Sequence, residues 1–132
     1  MRLVNYHDLD PGIREVVMML NHYGFETSDS GDGVSKFADG DAEAYACNIP
    51  WPHVVCPVSS ELMGEYADEI GRVLSGQGLT LRPTPKDYDE IGALECVVTA
   101  TYDVGSQTAY IMVEGLDDDK LRLARASRGA GN

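Results

Sequence analysis

Residues 94–114, LECVVTATYDVGSQTAYIMVE, decide the fold. Two stretches rich in β-branched and aromatic side chains, Leu94 to Tyr102 and Thr108 to Glu114, flank Asp103-Val104-Gly105-Ser106-Gln107, whose residue types suit a tight reversal. The segment therefore reads as an antiparallel hairpin. Upstream, Leu79-Thr80-Leu81 reads as a short strand, followed by a Pro-rich, acidic surface connection from Arg82 to Glu90. Before it, Leu62, Tyr66, Ile70, Val73 and Leu74 share one helical face, with Ser59 and Ser60 as caps and Gly76 as the stop. His53 to Val58 and Glu43 to Ile49 read as strands separated by Pro50-Trp51-Pro52, because proline cannot donate to a ladder.

At the other end of the chain, Asp10-Pro11-Gly12 opens a helix: Asp10 suits the cap and Pro11 the first position, where no donor is needed. Ile13, Val16, Val17 and Leu20 form its apolar stripe, and Gly24 ends it. Phe25 to Ser28 begins a strand that gives way to a polar, glycine-rich loop from Ser28 to Ala42. Helix, strands, helix, strands, without repeated strand-helix alternation, is an α+β pattern. Its simplest solution is two-layered, an antiparallel β-sheet with two amphipathic helices packed on one face.

The 132 residues suit one domain. Ten Lys plus Arg stand against 22 Asp plus Glu, a net charge of −12, which opposes direct nucleic-acid binding and anionic membrane surfaces. The charge is segregated: all 22 acids precede residue 120, and residues 120–132 carry only Lys120, Arg122, Arg125 and Arg128. The expected organisation is a single α+β domain over residues 1–116 and a basic C-terminal segment, 117–132, able to form a helix with Asp117 to Asp119 at its positive end. The bland reading ties this segment to its own body. The expected assembly is a homodimer held partly by this segment, which would bury Leu116, Leu121 and Leu123 and set Arg122, Arg125 and Arg128 against acidic surface, although the same contacts can form within one chain.

No apolar run is long enough to span a membrane, and the start MRLVNYHDLDPG lacks the apolar core of a secretory signal. Cys47, Cys56 and Cys96 are odd in number and lack CxxC spacing, which fits free thiols in a reducing, cytoplasmic setting.

The most distinctive stretch is Thr27 to Lys36, TSDSGDGVSK. Glycines let amides converge on a ligand, and closely spaced carboxylates hold cations or hydroxyls. Neither the EF-hand spacing nor the P-loop ending is present. The candidate ligand-binding residues are Asp29, Ser30, Asp32 and Lys36, with Trp51 as a stacking or anchoring aromatic, against the alternatives of a solvated turn and a lid over the sheet. His7, His22 and His53 show no metal-ligand spacing, and His53 and Cys56 fall on opposite faces of a strand. No catalytic residue, cofactor or metal is expected.

The stretch HYGFETSDSGDGVSK, followed by PHVVC and SSELMGEYADEIGRVL, resembles small bacteriophage-encoded proteins, over roughly residues 8–76 plus the ATYD hairpin. The resemblance implies viral origin and action in the host cytoplasm, and it assigns no residue a catalytic role. The expected function is a non-enzymatic accessory protein that binds a host defence protein or sequesters a small nucleotide-like ligand. A small metal-dependent hydrolase using Asp29 and Asp32, and an acidic nucleic-acid mimic, are the alternatives.

Overall fold

The computed structural model describes residues 9–33, 51–82 and 90–130. Its described elements are α1 (Arg14–His22), β1 (Asp29–Gly31), β2 (His53–Val58), a short 3-10 helix (Ser60–Leu62), α2 (Met63–Gly76), β3 (Thr80–Leu81), β4 (Glu95–Asp103), β5 (Thr108–Glu114) and α3 (Asp118–Ala130). The expected strand Glu43 to Ile49 lies outside the described residues. Five strands form one open sheet in the order β1-β2-β5-β4-β3, antiparallel throughout except for the β3/β4 pair. The class is α+β.

The β4/β5 hairpin forms because Asp103 organises its turn. The carboxylate accepts the Gly105 amide at 3.0 Å and the Ser106 hydroxyl at 2.8 Å, and the Ser106 bond holds Asp103 below the usual carboxylate range. Register then follows, with Asp103 opposite Thr108 and Val98 opposite Val113. Alternation sends Val54, Cys56, Cys96, Ile111 and Val113 to the face that the helices cover. The apolar stripe of α1 (Ile13, Val16, Val17, Leu20) and Ile70 and Leu74 of α2 are buried against those strand residues in one core. Each such side chain contributes about 1.5–3 kcal/mol.

A third helix shares that face. Leu121 and Ala124 of α3 are fully buried in the same core, as is Leu116 just before it, while Leu123 is 49% exposed. Two of the three leucines that suggested an exchanged tail are thus satisfied within their own chain. The start of α3 is capped by Asp117, whose carboxylate accepts the Lys120 amide at 2.8 Å.

Three local expectations change. The loop foreseen from Ser28 is preceded by a strand later than expected: Asp29 to Gly31 pair with Val55 to His53, because β2 offers a free edge beside them. The helix α1 is not capped by the Asp10 side chain. Asp118 takes that role from the far end of the chain, accepting the Val16 amide at 3.0 Å while its own amide donates to the Gly12 carbonyl at 2.9 Å. Likewise Ser59 makes no side-chain cap, and its carbonyl instead accepts the Leu62 amide at 3.1 Å to start the 3-10 turn.

Candidate functional site

The expected ligand residues fall around the β1 edge, where their side chains part company. Asp29 is exposed and accepts the amide of its neighbour Ser30 at 2.9 Å. Strand alternation places Ser30, opposite Val54, on the face away from Asp29. Asp32 is only 7% exposed. Its carboxylate accepts the Gly12 amide at 3.2 Å, and its own amide donates to Asp10 Oδ2 at 3.2 Å. Lys36 lies outside the described residues. Trp51 is half-buried, and its indole N–H donates to Glu114 Oε2 at 2.6 Å. Trp51 comes against the residue that follows Asp32: Gly33 runs so close to it that a Cβ there would lie 2.5 Å from the Trp51 Cα. His53, 2% exposed, completes the corner with Nδ1 3.0 Å from the Trp51 carbonyl, which makes Nδ1 the protonated nitrogen.

The two described thiols, Cys56 and Cys96, are held in the un-ionised form at neutral pH. Burial pushes Cys56 up to about 12 and Cys96 to about 11, and both are unpaired residues of the interior. Cys47 lies outside the described residues. Among the described residues, no group of three or more His, Cys, Asp or Glu side chains is placed to hold a metal ion, and no helix is long and apolar enough to cross a membrane.

A different site opens at the C-terminal end of α1. A recess of about 550 Å³ lies between Tyr23, Phe25 and Glu26 on one side and Leu62, Tyr66 and Glu69 on the other, with the end of β2 as its floor. Local sequence builds it. Gly24, at φ +93°, lets the chain reverse after α1, so that the Phe25 amide reaches the Leu20 carbonyl at 3.0 Å. Asn21 Nδ2 holds the Phe25 carbonyl at 2.9 Å. Phe25 then meets Tyr66 edge to face, with ring centroids 6.3 Å apart. Leu62 lies one helical turn before Tyr66 and joins it on the opposite wall. The Tyr23 hydroxyl accepts from Gln77 Nε2 at 3.4 Å, and Gln77 Oε1 accepts from Arg125 of α3 at 2.6 Å, so α3 braces this wall.

The charges around the recess set it apart. Among the described residues, the carboxylates without a hydrogen bond or ion pair are Glu26, Glu61, Glu65, Asp68 and Glu69. Glu65, Asp68 and Glu69 share the outer face of α2, Glu61 precedes them, and Glu69 and Glu26 line the recess. The described bases behave in the opposite way. Lys120 donates to the Glu95 carbonyl at 3.0 Å, Arg122 pairs with Glu15 at 2.8 Å, Arg125 holds Gln77 and Arg128 holds the Gly76 carbonyl. Arg82 pairs with Glu90 and Glu95, and Arg14 donates to the Leu9 carbonyl. Arg72 alone among the described Lys and Arg residues has no partner.

Sequence reading missed this site because its halves are far apart in the chain. The visible signal was the run Tyr23-Gly24-Phe25-Glu26, an aromatic pair with an acid directly after a helix stop. Comparison with family models, with curated proteins and with solved structures gave no match.

Proposed function

We propose that this protein acts by binding, as a phage-type accessory protein that engages a basic surface of a host protein in the bacterial cytoplasm. One observation carries the reading: the unpaired carboxylates Glu61, Glu65, Asp68 and Glu69 lie on or just before α2, with Glu26 across the recess from them, while the bases of α3 are engaged within the chain. Such a face attracts cations and repels phosphate, which favours a protein over a nucleotide-like ligand. The reading needs no homodimer, since Arg122 and Arg125 already have partners in their own chain. Host setting rests on the resemblance carried by GFETSDSGDG.

The test is affinity capture from bacterial lysate on the immobilised full chain, beside a variant carrying Glu61→Lys, Glu65→Lys and Asp68→Lys. A partner retained by the native chain and lost from the reversed one supports the proposal. Equal capture by both overturns it. The same clustering favours a second reading, nucleic-acid mimicry: a captured protein released by duplex DNA, with no release by an uncharged polymer, would identify the occupied groove as a nucleic-acid site.

A further inference from the structure

We infer that the recess between α1 and α2 is the seat of an arginine side chain carried on an apolar segment of the partner protein. This rests on reading the α2 side as a protein-binding surface, and it names where on that surface the partner is anchored.

The walls argue for an occupant with an apolar body. Tyr23 is 49% exposed and Leu62 38% exposed, and with Phe25 and Tyr66 they leave aromatic and aliphatic surface open to water. Covering it stabilises a complex in proportion to the area removed from water. The volume, about 550 Å³, lies in the range of pockets that enclose a side chain with its neighbours.

The rim argues that the occupant is a cation. Glu26 and Glu69 stand on opposite sides, neither with a partner, and no Lys or Arg lines the recess. An apolar ligand would strip water from both carboxylates without replacing it, which costs free energy. An anion would be repelled by both. A guanidinium meets every requirement: it is planar, stacks on tyrosine faces, and presents donors on two edges toward separate carboxylates. Lysine supplies the charge without the planar stack.

Two-dimensional amide NMR on the full chain provides the test, with the peptide acetyl-Ala-Leu-Arg-Leu-Ala-amide as the probe. Its Lys and Glu counterparts and inorganic phosphate serve as comparisons. The expected result is a saturable shift of Gly24, Glu26, Leu62 and Glu69 amides by the Arg peptide, a weaker response to Lys and none to Glu or phosphate. Glu26→Gln with Glu69→Gln should weaken the Arg peptide at least about tenfold, roughly 1.4 kcal/mol, whereas Glu61→Gln with Glu65→Gln should change it less than about threefold. Both pairs are solvent-exposed, and each variant's own spectrum reports that it is folded.

Equal affinity in the Glu26/Glu69 variant, equal binding of the Glu peptide, shifts centred elsewhere, or no shifts at millimolar peptide would each overturn the arginine seat. If the lysate partner is nevertheless still lost on charge reversal of α2, the binding reading stands and only the anchor is wrong. If the lysate partner survives that reversal, the broader reading has failed on its own.

Discussion

The two ends of α1 use the same residue types for opposite work. At its N-terminal end Asp10, Asp32 and Asp118 each accept a backbone amide, from Asp32, Gly12 and Val16 respectively, and nearby Glu114 accepts the Trp51 indole. Just past its C-terminal end Glu26 accepts nothing, and neither does Glu69 across the recess. The difference follows from what the backbone offers. Val16 lies in the first turn of α1, whose amides lack intrahelical partners and draw Asp118 inward. Gly12 and Asp32 offer amides in the turn before the helix and at the end of β1. Past the other end the chain reverses at Gly24, whose neighbours' amides go to the helix's own last carbonyls, and none is left for Glu26. Carboxylates at the first end are engaged by the chain's own backbone, and those at the second are not.

The contrast breaks most severely if the crowded corner is altered at Gly33. Its φ of +79° disfavours any other residue, and an added Cβ would lie 2.5 Å from the Trp51 backbone. Gly33→Ala is expected to destabilise by about 3 kcal/mol or more, from backbone strain together with overpacking. Urea unfolding measures it, and a loss below about 1 kcal/mol would mean that the corner is loose rather than packed. Asp32→Ala comes next. Removing a buried acceptor leaves the Gly12 amide without its bond and should cost about 1–3 kcal/mol. A variant as stable as the native chain would return Asp32 to the pool of available ligands.

Asp118 sharpens the comparison through pH. Burial raises its carboxyl above the ordinary range, although the Glu15 and Val16 amides pull it down. A carboxyl that is harder to ionise folded than unfolded makes stability fall as pH rises from the unfolded value through the folded one. Asp118→Asn keeps an oxygen for Val16 and removes the charge. Relative to the native chain it should therefore gain more at about pH 7 than at about pH 3, while Asp118→Ala loses the Val16 bond, about 1 kcal/mol, at about pH 3 and less than that at about pH 7, where it too sheds the penalty of the buried charge. Chemical unfolding at the two pH values decides; an Asn variant whose difference from native is the same at both would show that the ionised form is not penalised there.

How much of this was legible depended on the distance over which each signal acts. The β4/β5 hairpin was readable because Asp103, Gly105 and Ser106 make their bonds within the turn itself. The stripe of α1 was readable because Ile13, Val16, Val17 and Leu20 repeat at the helical period. Asp10 was assigned the cap of α1 on proximity, but the cap comes from Asp118, brought there by the packing of α3, and no local rule foresees a partner at the far end of the chain. The acidic TSDSGDG stretch drew attention by composition, whereas the bond of its Asp32 to the Gly12 amide, twenty residues earlier, has no local signal. The recess drew none, since Phe25 and Tyr66 become neighbours only after α1 and α2 dock on the sheet.

The smallest expected effect tests the other half of the comparison. If Glu61, Glu65, Asp68 and Glu69 contribute nothing to holding the fold, neutralising them as Glu61→Gln, Glu65→Gln, Asp68→Asn and Glu69→Gln should leave stability within about 0.5 kcal/mol of native. Two effects oppose each other. Glu65 lies in the first turn of α2, where a negative charge is favourable by about 0.3–1 kcal/mol. Against it stand like-charge repulsions of Glu65 with Asp68 and Glu69 at helical spacing, about 0.2–0.5 kcal/mol each, within a chain already at −12. Arg72, three and four residues after Glu69 and Asp68, adds attractions of similar size that neutralisation also removes, so the net effect is small. Salt, which screens every one of these charges, should change the native chain's stability more than the neutralised variant's. Thermal unfolding at low and high salt gives both numbers. A loss above about 1 kcal/mol would mean that these carboxylates hold the fold as Asp32 does, and the two ends of α1 would no longer differ.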